Sequence, residues 1–404
     1  MGVVSPLGLN VADTWAGLVA GRSGIGPITQ FDASEFPCRI CASVKGFDAT
    51  AFMDVKEARR SAPLTHYVVA ALMEAKSQAG LDFTQLNSAR LGISLGTALG
   101  GVSFIEEQVN TLRTAGVRRV NPTLLPAVLV NMPACYIGIM IGAKGPVRSP
   151  TAACATGVVA IGEGYRLMRR GEVDVMIVGG TESPLTPIGI ACFGRLGALS
   201  AKNDDPENAC RPFDKLRDGT IVGEGASVLV LETLAHARRR GVKPLAEIVG
   251  FGETGDAYHV VMPEPSGEGA ARAMKSAMEE AGWVPDDVDY ICAHGTGTPL
   301  NDVAETKAIK LALGETAAHQ TLISANKSMV GHMLGAAGAF SAVVTVKTIT
   351  EGLVTPTANL RNPDPECDLD YVPVNSRPAN VRCALVNAFG FGGQNATLAL
   401  QAIG

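Results

Sequence analysis

Ser149-Pro150-Thr151-Ala152-Ala153-Cys154-Ala155-Thr156-Gly157 joins a short apolar stretch to a run of helical periodicity, and the elements after this junction set the fold class. From Ala155 a helix is expected to run to about Arg170, with Val158, Val159, Gly162, Tyr165 and Leu167 available for packing. Arg169 and Arg170 suit the negative end of a helix dipole, and Gly171 suits its C-cap. Val173-Asp174-Val175-Met176-Ile177-Val178 then reads as a strand ending at Gly179-Gly180. Strand, helix and strand in that order imply a parallel sheet covered by helices, the α/β class.

The same punctuation recurs downstream. A helix over residues 232–240 stops at Gly241, and a strand over 246–249 opens a second half. This divides the chain into residues 1–244 and 245–404. Residues 268–282 form a helix ending in Gly, followed by a strand over 288–293 that delivers His294 at its carboxyl end. Strands over 322–325 and 384–386 each lead into a polar or Gly-rich turn, and a helix is expected over 333–346. With 404 residues, 46 Gly and only 18% charged residues, two packed units fit better than one small domain.

A net charge of −5 gives no global pull toward nucleic acid or an anionic membrane, so an acidic partner needs a local basic patch. Nine irregularly spaced cysteines, an odd number, argue against a secreted disulfide framework and fit a reducing cytoplasm. Cys38 and Cys41 form a Cys-x-x-Cys pair without the second pair or histidines that zinc requires. They read as two small residues in a loop, and no metal is expected. The N-terminus carries no signal-peptide pattern. Residues 124–143 are apolar, but Pro126, Asn131 and Pro133 would break a lipid-exposed helix; a loop and then a buried helix is expected, with a subunit interface as a candidate place for it.

Cys154 carries the first chemical signal. At the first turn of a helix, backbone amides and the dipole stabilise a thiolate, and a nearby imidazole does the rest. Ala152, Ala153, Ala155 and Gly157 leave room for a substrate to approach the sulfur. His294 opens His294-Gly295-Thr296-Gly297-Thr298-Pro299, a loop with close backbone access and two hydroxyls suited to a flexible polar arm. His332 closes Asn326-Lys327-Ser328-Met329-Val330-Gly331-His332. Lys327 can pair with an acid, Glu305 being the nearest candidate, and a cation there would favour neutral imidazoles that donate to an oxyanion. Asn387-Ala388-Phe389-Gly390-Phe391-Gly392-Gly393 offers an oxyanion N–H and a phenyl ring to line a pocket. A cysteine, two histidines and a Gly-rich turn together point to acyl transfer.

Taken together, these segments resemble the elongating β-ketoacyl-acyl-carrier-protein synthases, on the thiolase fold. The likeness runs nearly the full length, from Met1-Gly2-Val3-Val4-Ser5-Pro6-Leu7-Gly8 through Arg211-Pro212-Phe213-Asp214 and Asp256-Ala257-Tyr258-His259 to the Phe389–Gly393 turn. It implies a thiolase-like α/β fold of two similar halves, each a mixed five-stranded sheet layered with helices (α-β-α-β-α), and an obligate homodimer. It implies that Cys154 takes an acyl group as a thioester, and that His294 and His332 support decarboxylation of malonyl-carrier protein in fatty acid elongation. By the same resemblance, the N–H groups of Cys154 and Phe391 form the oxyanion hole, and Phe389 and Phe391 border the acyl pocket, with the Phe391 ring as its gate. Thr296 and Thr298 hold the pantetheine arm, Leu99 lines the far end of the acyl tunnel, and Lys327 with Glu305 forms a supporting ion pair. Lys56, Arg59 and Arg60 match a patch that meets the acyl carrier protein; on a helix these charges share a face. No cofactor is expected, because the phosphopantetheine arm arrives on the carrier protein.

Within this fold a degradative thiolase would need a second cysteine where Phe391 stands, and initiating synthases carry Asn in place of His332. A non-catalytic chain-length partner would lack Cys154. A specialised condensing enzyme for unusual acyl chains or polyketides is the alternative. Several positions depart from the family pattern. The chain begins at Met1 inside the first motif, so either the start lies elsewhere or the first strand is absent and a sheet edge exposed. Ser61-Ala62-Pro63-Leu64 stands where Met-Asp is usual, Ala388 replaces Ser, and Gln394 replaces Thr.

Overall fold

A computed structural model describes residues 1–404. The first half runs β1 (Gly2–Val4), α1 (Pro63–Ala79), β2 (Leu91–Gly96), β3 (Val147–Arg148), α2 (Thr156–Arg169), β4 (Val175–Glu182) and β5 (Gly225–Glu232). The second runs β6 (Ala246–Gly255), α3 (Glu268–Ala281), β7 (Tyr290–Cys292), α4 (Pro299–Leu313), β8 (Leu322–Ser324), α5 (Ala337–Glu351), β9 (Cys383–Gly390) and β10 (Gln394–Ala402). The sheet orders are β1-β5-β4-β2-β3 and β6-β10-β9-β7-β8, so each strand holds the same place in both halves. Both sheets are mixed. β2, β3 and β4 run parallel, as do β7, β8 and β9, while β5 pairs antiparallel with β4 and β1, and β10 with β9 and β6.

Each half keeps an outer core of its own, around Leu72 and Ile93 in the first and Met274 and Ile291 in the second, and the two share a larger central one. One buried cluster draws Val158, Ile161 and Met176 from the first half together with Phe340, Val386 and Leu398 from the second. α2 and α5 lie between the sheets, and they approach closely because glycine stands at the crossing. A Cβ on Gly157 would lie 2.4 Å from the Ala339 nitrogen, and one on Gly338 would lie 2.7 Å from the Val158 nitrogen. α1 covers the other face of the first sheet. It begins at Pro63, where the missing N–H costs nothing because a first-turn amide has no partner within the helix. The departure at Ser61–Leu64 is thus a helix start of ordinary chemistry.

Several expectations are corrected. The strand expected to end at Gly179-Gly180 runs through that pair to Glu182, and the glycines sit inside it. The first strand is present but short: Gly2, Val3 and Val4 pair with Val228, Ser227 and Ala226 of β5. Cys41 lies on a short strand rather than in a loop, and both Cys38 and Cys41 are buried. Residues 124–143 form two helices, Leu124–Val128 and Met132–Ile141. The second is buried on one side only, through Ala134 and Ile137, while Ile139 is 82% exposed. No helix is long and apolar enough to cross a membrane.

Candidate active site

Four turns at the carboxyl ends of strands meet between the two sheets. The turn after β3 carries Cys154 in the 3-10 segment Ala153–Ala155, just ahead of α2. Ala153 is held at φ +46°, a conformation costly for a residue with a Cβ, so the turn is strained beside Cys154. Thr156 braces it: its hydroxyl donates to the Ala153 carbonyl at 2.7 Å and accepts the Ala152 N–H at 2.8 Å. The β9–β10 turn lies against this segment, since a Cβ on Gly390 would stand 2.5 Å from the Ala152 carbonyl oxygen and 3.3 Å from the Ala155 nitrogen. The Phe391 ring lies 6.5 Å from Phe193, and the Phe389 ring 5.5 Å from His294.

The two imidazoles meet edge to face with centroids 5.5 Å apart. The His332 Nδ1 accepts the Leu334 N–H at 3.3 Å, which leaves the proton on Nε2. That Nε2 is buried without any protein partner, a donor left free for a ligand. Burial first, and the Lys327 charge second, hold both rings well below the usual histidine range, with the His332 ring also acting on His294. Both histidines are therefore neutral at physiological pH.

Lys327 and Glu305 do not form the direct ion pair expected of them. Instead they grip opposite sides of one peptide segment. The Lys327 ammonium donates to the His294 carbonyl, and the Glu305 carboxylate accepts the N–H groups of His294 and Gly295, each at 2.7 Å. Asn387 reaches Glu305 at 3.5 Å, tying β9 to the same carboxylate. Burial pushes Glu305 up to about 7 against these donors. Thr296 and Thr298 join through their hydroxyls at 2.9 Å. Arg217 and Asp302, which no sequence motif singles out, hold this loop from behind. Arg217 donates to the carbonyls of Thr298 and Pro299 at 3.3 and 3.1 Å, and Asp302 accepts the Gly297 N–H at 3.2 Å.

The thiol contradicts the expectation of a lowered pKa. Burial pushes Cys154 up to about 11, the Lys327 charge and the N–H groups of Phe391 and Cys154 pull it down, and the Glu182 charge raises it. The resting sulfur is a neutral thiol because desolvation outweighs the amides. Iodoacetamide alkylation of Cys154, followed by peptide mass mapping, is expected to quicken about tenfold per pH unit between roughly pH 7 and pH 10. A raised pKa places the thiolate on the alkaline side. A plateau near neutrality would instead indicate a thiolate–imidazolium pair.

The remaining candidates lie further out. Leu99 is 41% exposed on this chain, and its N–H bonds Glu182 at 3.2 Å. Lys56, Arg59 and Arg60 are all exposed, but the helix beneath them, Val55–Ala58, is a single turn. Arg59 caps it, Arg60 lies past its end, and Arg60 pairs with Glu57 at 3.4 Å, so one helix face does not carry all three. Glu182 is absent from the sequence-predicted set. Its one signal is a charged residue two places after the glycine pair that follows the apolar run of β4.

The doubled sandwich, with its cysteine on one half and its histidines on the other, is a thiolase-type ketosynthase fold. Residues 1–237 match the model of the beta-ketoacyl synthase N-terminal domain, and residues 245–361 that of the C-terminal domain. The chain belongs to the beta-ketoacyl synthase family. It is 48% identical over 401 residues to the 3-oxoacyl-[acyl-carrier-protein] synthase 2 of Synechocystis sp., covering 99% of this chain and 96% of that relative. A beta-ketoacyl synthase from Burkholderia phymatum superposes with a TM-score of 0.92 at 34% identity, over 100% of this chain and 98% of that one. A type II polyketide ketosynthase, solved in complex with its acyl-carrier protein, superposes at 0.91 with 30% identity, over 100% and 98% of the respective chains.

Proposed function

We propose that this chain is a 3-oxoacyl-acyl-carrier-protein synthase of the elongating type, an acyltransferase of fatty acid synthesis. The observation that supports the reading is that one buried cation, Lys327, acts on the Cys154 thiol of the first half and on both imidazoles of the second, with the His332 Nε2 left unpartnered. Cys154 attacks the thioester of an acyl-carrier protein, and its proton leaves with the released carrier thiol. Malonyl-carrier protein then loses carbon dioxide, and His294 and His332 hold the enolate oxygen that forms. The enolate carbon attacks the acyl–cysteine carbonyl, whose oxygen lies in the Cys154 and Phe391 N–H groups. The thiolate departs and regains a proton, giving a 3-oxoacyl-carrier protein two carbons longer. Neutral imidazoles suit this work, since a charged ring would already have given its field to the ground state.

Thr296 and Thr298 serve the pantetheine arm, Phe389 and Phe391 border the acyl group, and Leu99 meets its far end. No resident cofactor is needed, since the arm supplies the thioester. A homodimer fits the surface: β3 is an exposed edge strand, and Leu125, Leu129 and Ile139, in the apolar segment that precedes it, are all exposed. Nine unpaired cysteines suit the cytoplasm. The test pairs one acyl-carrier protein of defined length with malonyl-carrier protein labelled at the free carboxyl. One labelled carbon dioxide per lengthened product is expected; thioester hydrolysis without chain growth would remove the assignment.

Lys56, Arg59 and Arg60 meet the acidic carrier protein. Replacing all three with Ala is expected to raise the apparent KM for the carrier about tenfold at low ionic strength, the effect shrinking as salt screens it. An unchanged KM at low salt would place the docking surface elsewhere.

A further inference from the structure

Glu182 ends β4 with its carboxylate fully buried and in no ion pair, since its donors are neutral. It accepts the Thr97 hydroxyl at 2.7 Å and the N–H groups of Ala98 at 2.7 Å, Leu99 at 3.2 Å and Gly335 at 3.0 Å. These donors come from both halves: three from the turn after β2, one from the 3-10 segment Leu334–Ala336 that opens α5.

The shared topology gives that segment a meaning. Leu334–Ala336 matches Ala153–Ala155: each is three residues long, each begins with a non-glycine residue of positive φ (+44° and +46°), and each leads into a central helix. Gly335 is therefore the counterpart of Cys154. Where the first half offers its turn amide to a sulfur, the second offers its own to the Glu182 carboxylate. The fit is tight: a Cβ on Gly335 would lie 2.7 Å from the Glu182 Oε2 and 2.6 Å from the Ala98 nitrogen. The residue before Gly335 is Leu334, whose N–H fixes the His332 Nδ1.

We infer that Glu182 is a positioning residue for the decarboxylation step: by holding Gly335 it keeps Leu334 on the His332 Nδ1 and the Nε2–H aimed at the enolate oxygen. This rests on the condensing activity proposed above. On the acyl-transfer step, whose oxyanion donors are the amides of Cys154 and Phe391, Glu182 acts only through its charge, which raises the Cys154 thiol. Gln at this position meets the converging N–H groups with an amide NH2 on one side and cannot accept all of them.

The test measures the two half-reactions of the full-length protein separately. Glu182→Gln is expected to slow carbon dioxide release from malonyl-carrier protein at least tenfold, with transfer of an acyl group to Cys154 not slowed, because the charge that is lost had raised the Cys154 thiol. Glu182→Asp, which keeps the charge but is one methylene shorter, is expected to give the same split and stands in if the Gln variant does not fold. Thr97→Val, which leaves the Gly335 bond intact, is expected to lose less than threefold. Nitrogen-15 spectra of histidine-labelled protein are expected to show the Nε2–H tautomer of His332 in the wild type and a mixture in the Glu182 variants. Equal slowing of both half-reactions, or wild-type rates in both, would overturn the inference. Absence of carbon dioxide release from the wild type would instead overturn the condensing activity.

Discussion

Cys154→Ala is expected to remove condensation, a loss on the order of 10^4-fold or more, because no other group in the site can carry the acyl chain. The substitution deletes one sulfur from a turn whose neighbours, Ala152, Ala153 and Ala155, are already methyl side chains. The bracing bonds of Thr156 to Ala152 and Ala153 do not involve the sulfur, so the turn keeps its shape. Unfolding in urea should therefore shift by no more than about 1–2 kcal/mol, the cost of a small buried truncation. Mass spectrometry after incubation with acyl-carrier protein should show the acyl adduct on wild type and none on the variant. Condensation at the wild-type rate in the folded variant would take the thiol out of the mechanism.

His332→Ala is the second large effect. It removes a buried donor with no competing partner and leaves the Leu334 N–H without its acceptor. Loss of one such donor to a developing oxyanion lowers turnover by about 10²–10³-fold. The loss should fall on decarboxylation and condensation, with acylation of Cys154 within about threefold of wild type, as single-turnover measurements of each step would reveal. If both steps fell together, His332 would be supporting the site's architecture instead of the enolate.

Much of the site is legible in the sequence because its chemistry is local. A Gly-rich turn at the end of an apolar strand reads the same in sequence as in space, and Cys154, His294, Lys327, His332 and Phe391 all sit on such turns. Pairing across loops is less legible. Lys327 and Glu305 match by charge, yet each satisfies a backbone group of His294 or Gly295, because a buried peptide competes for the same donors and acceptors. The spacing of the basic patch suits a helix, but the helix there lasts one turn. The glycine pair of β4 reads as a strand end, although glycine inside a strand also marks a close approach, and Gly180 lies against the Gly335 carbonyl.

The sequence by itself determined the α/β class, the strand and helix order around Cys154 and His294, and the residue types that could form an acyl-transfer site. Those depend on periodicity, caps and turns, which act over a few residues. Only the tertiary structure decided the protonation of that site and the partners of its charged groups. Burying sulfur and imidazoles between two sheets raises one pKa and lowers the others, and the extent of burial depends on how closely α2 and α5 pack at Gly157 and Gly338. The opposition of Gly335 to Cys154, and with it the place of Glu182, likewise comes from folding two halves of unlike sequence onto one topology.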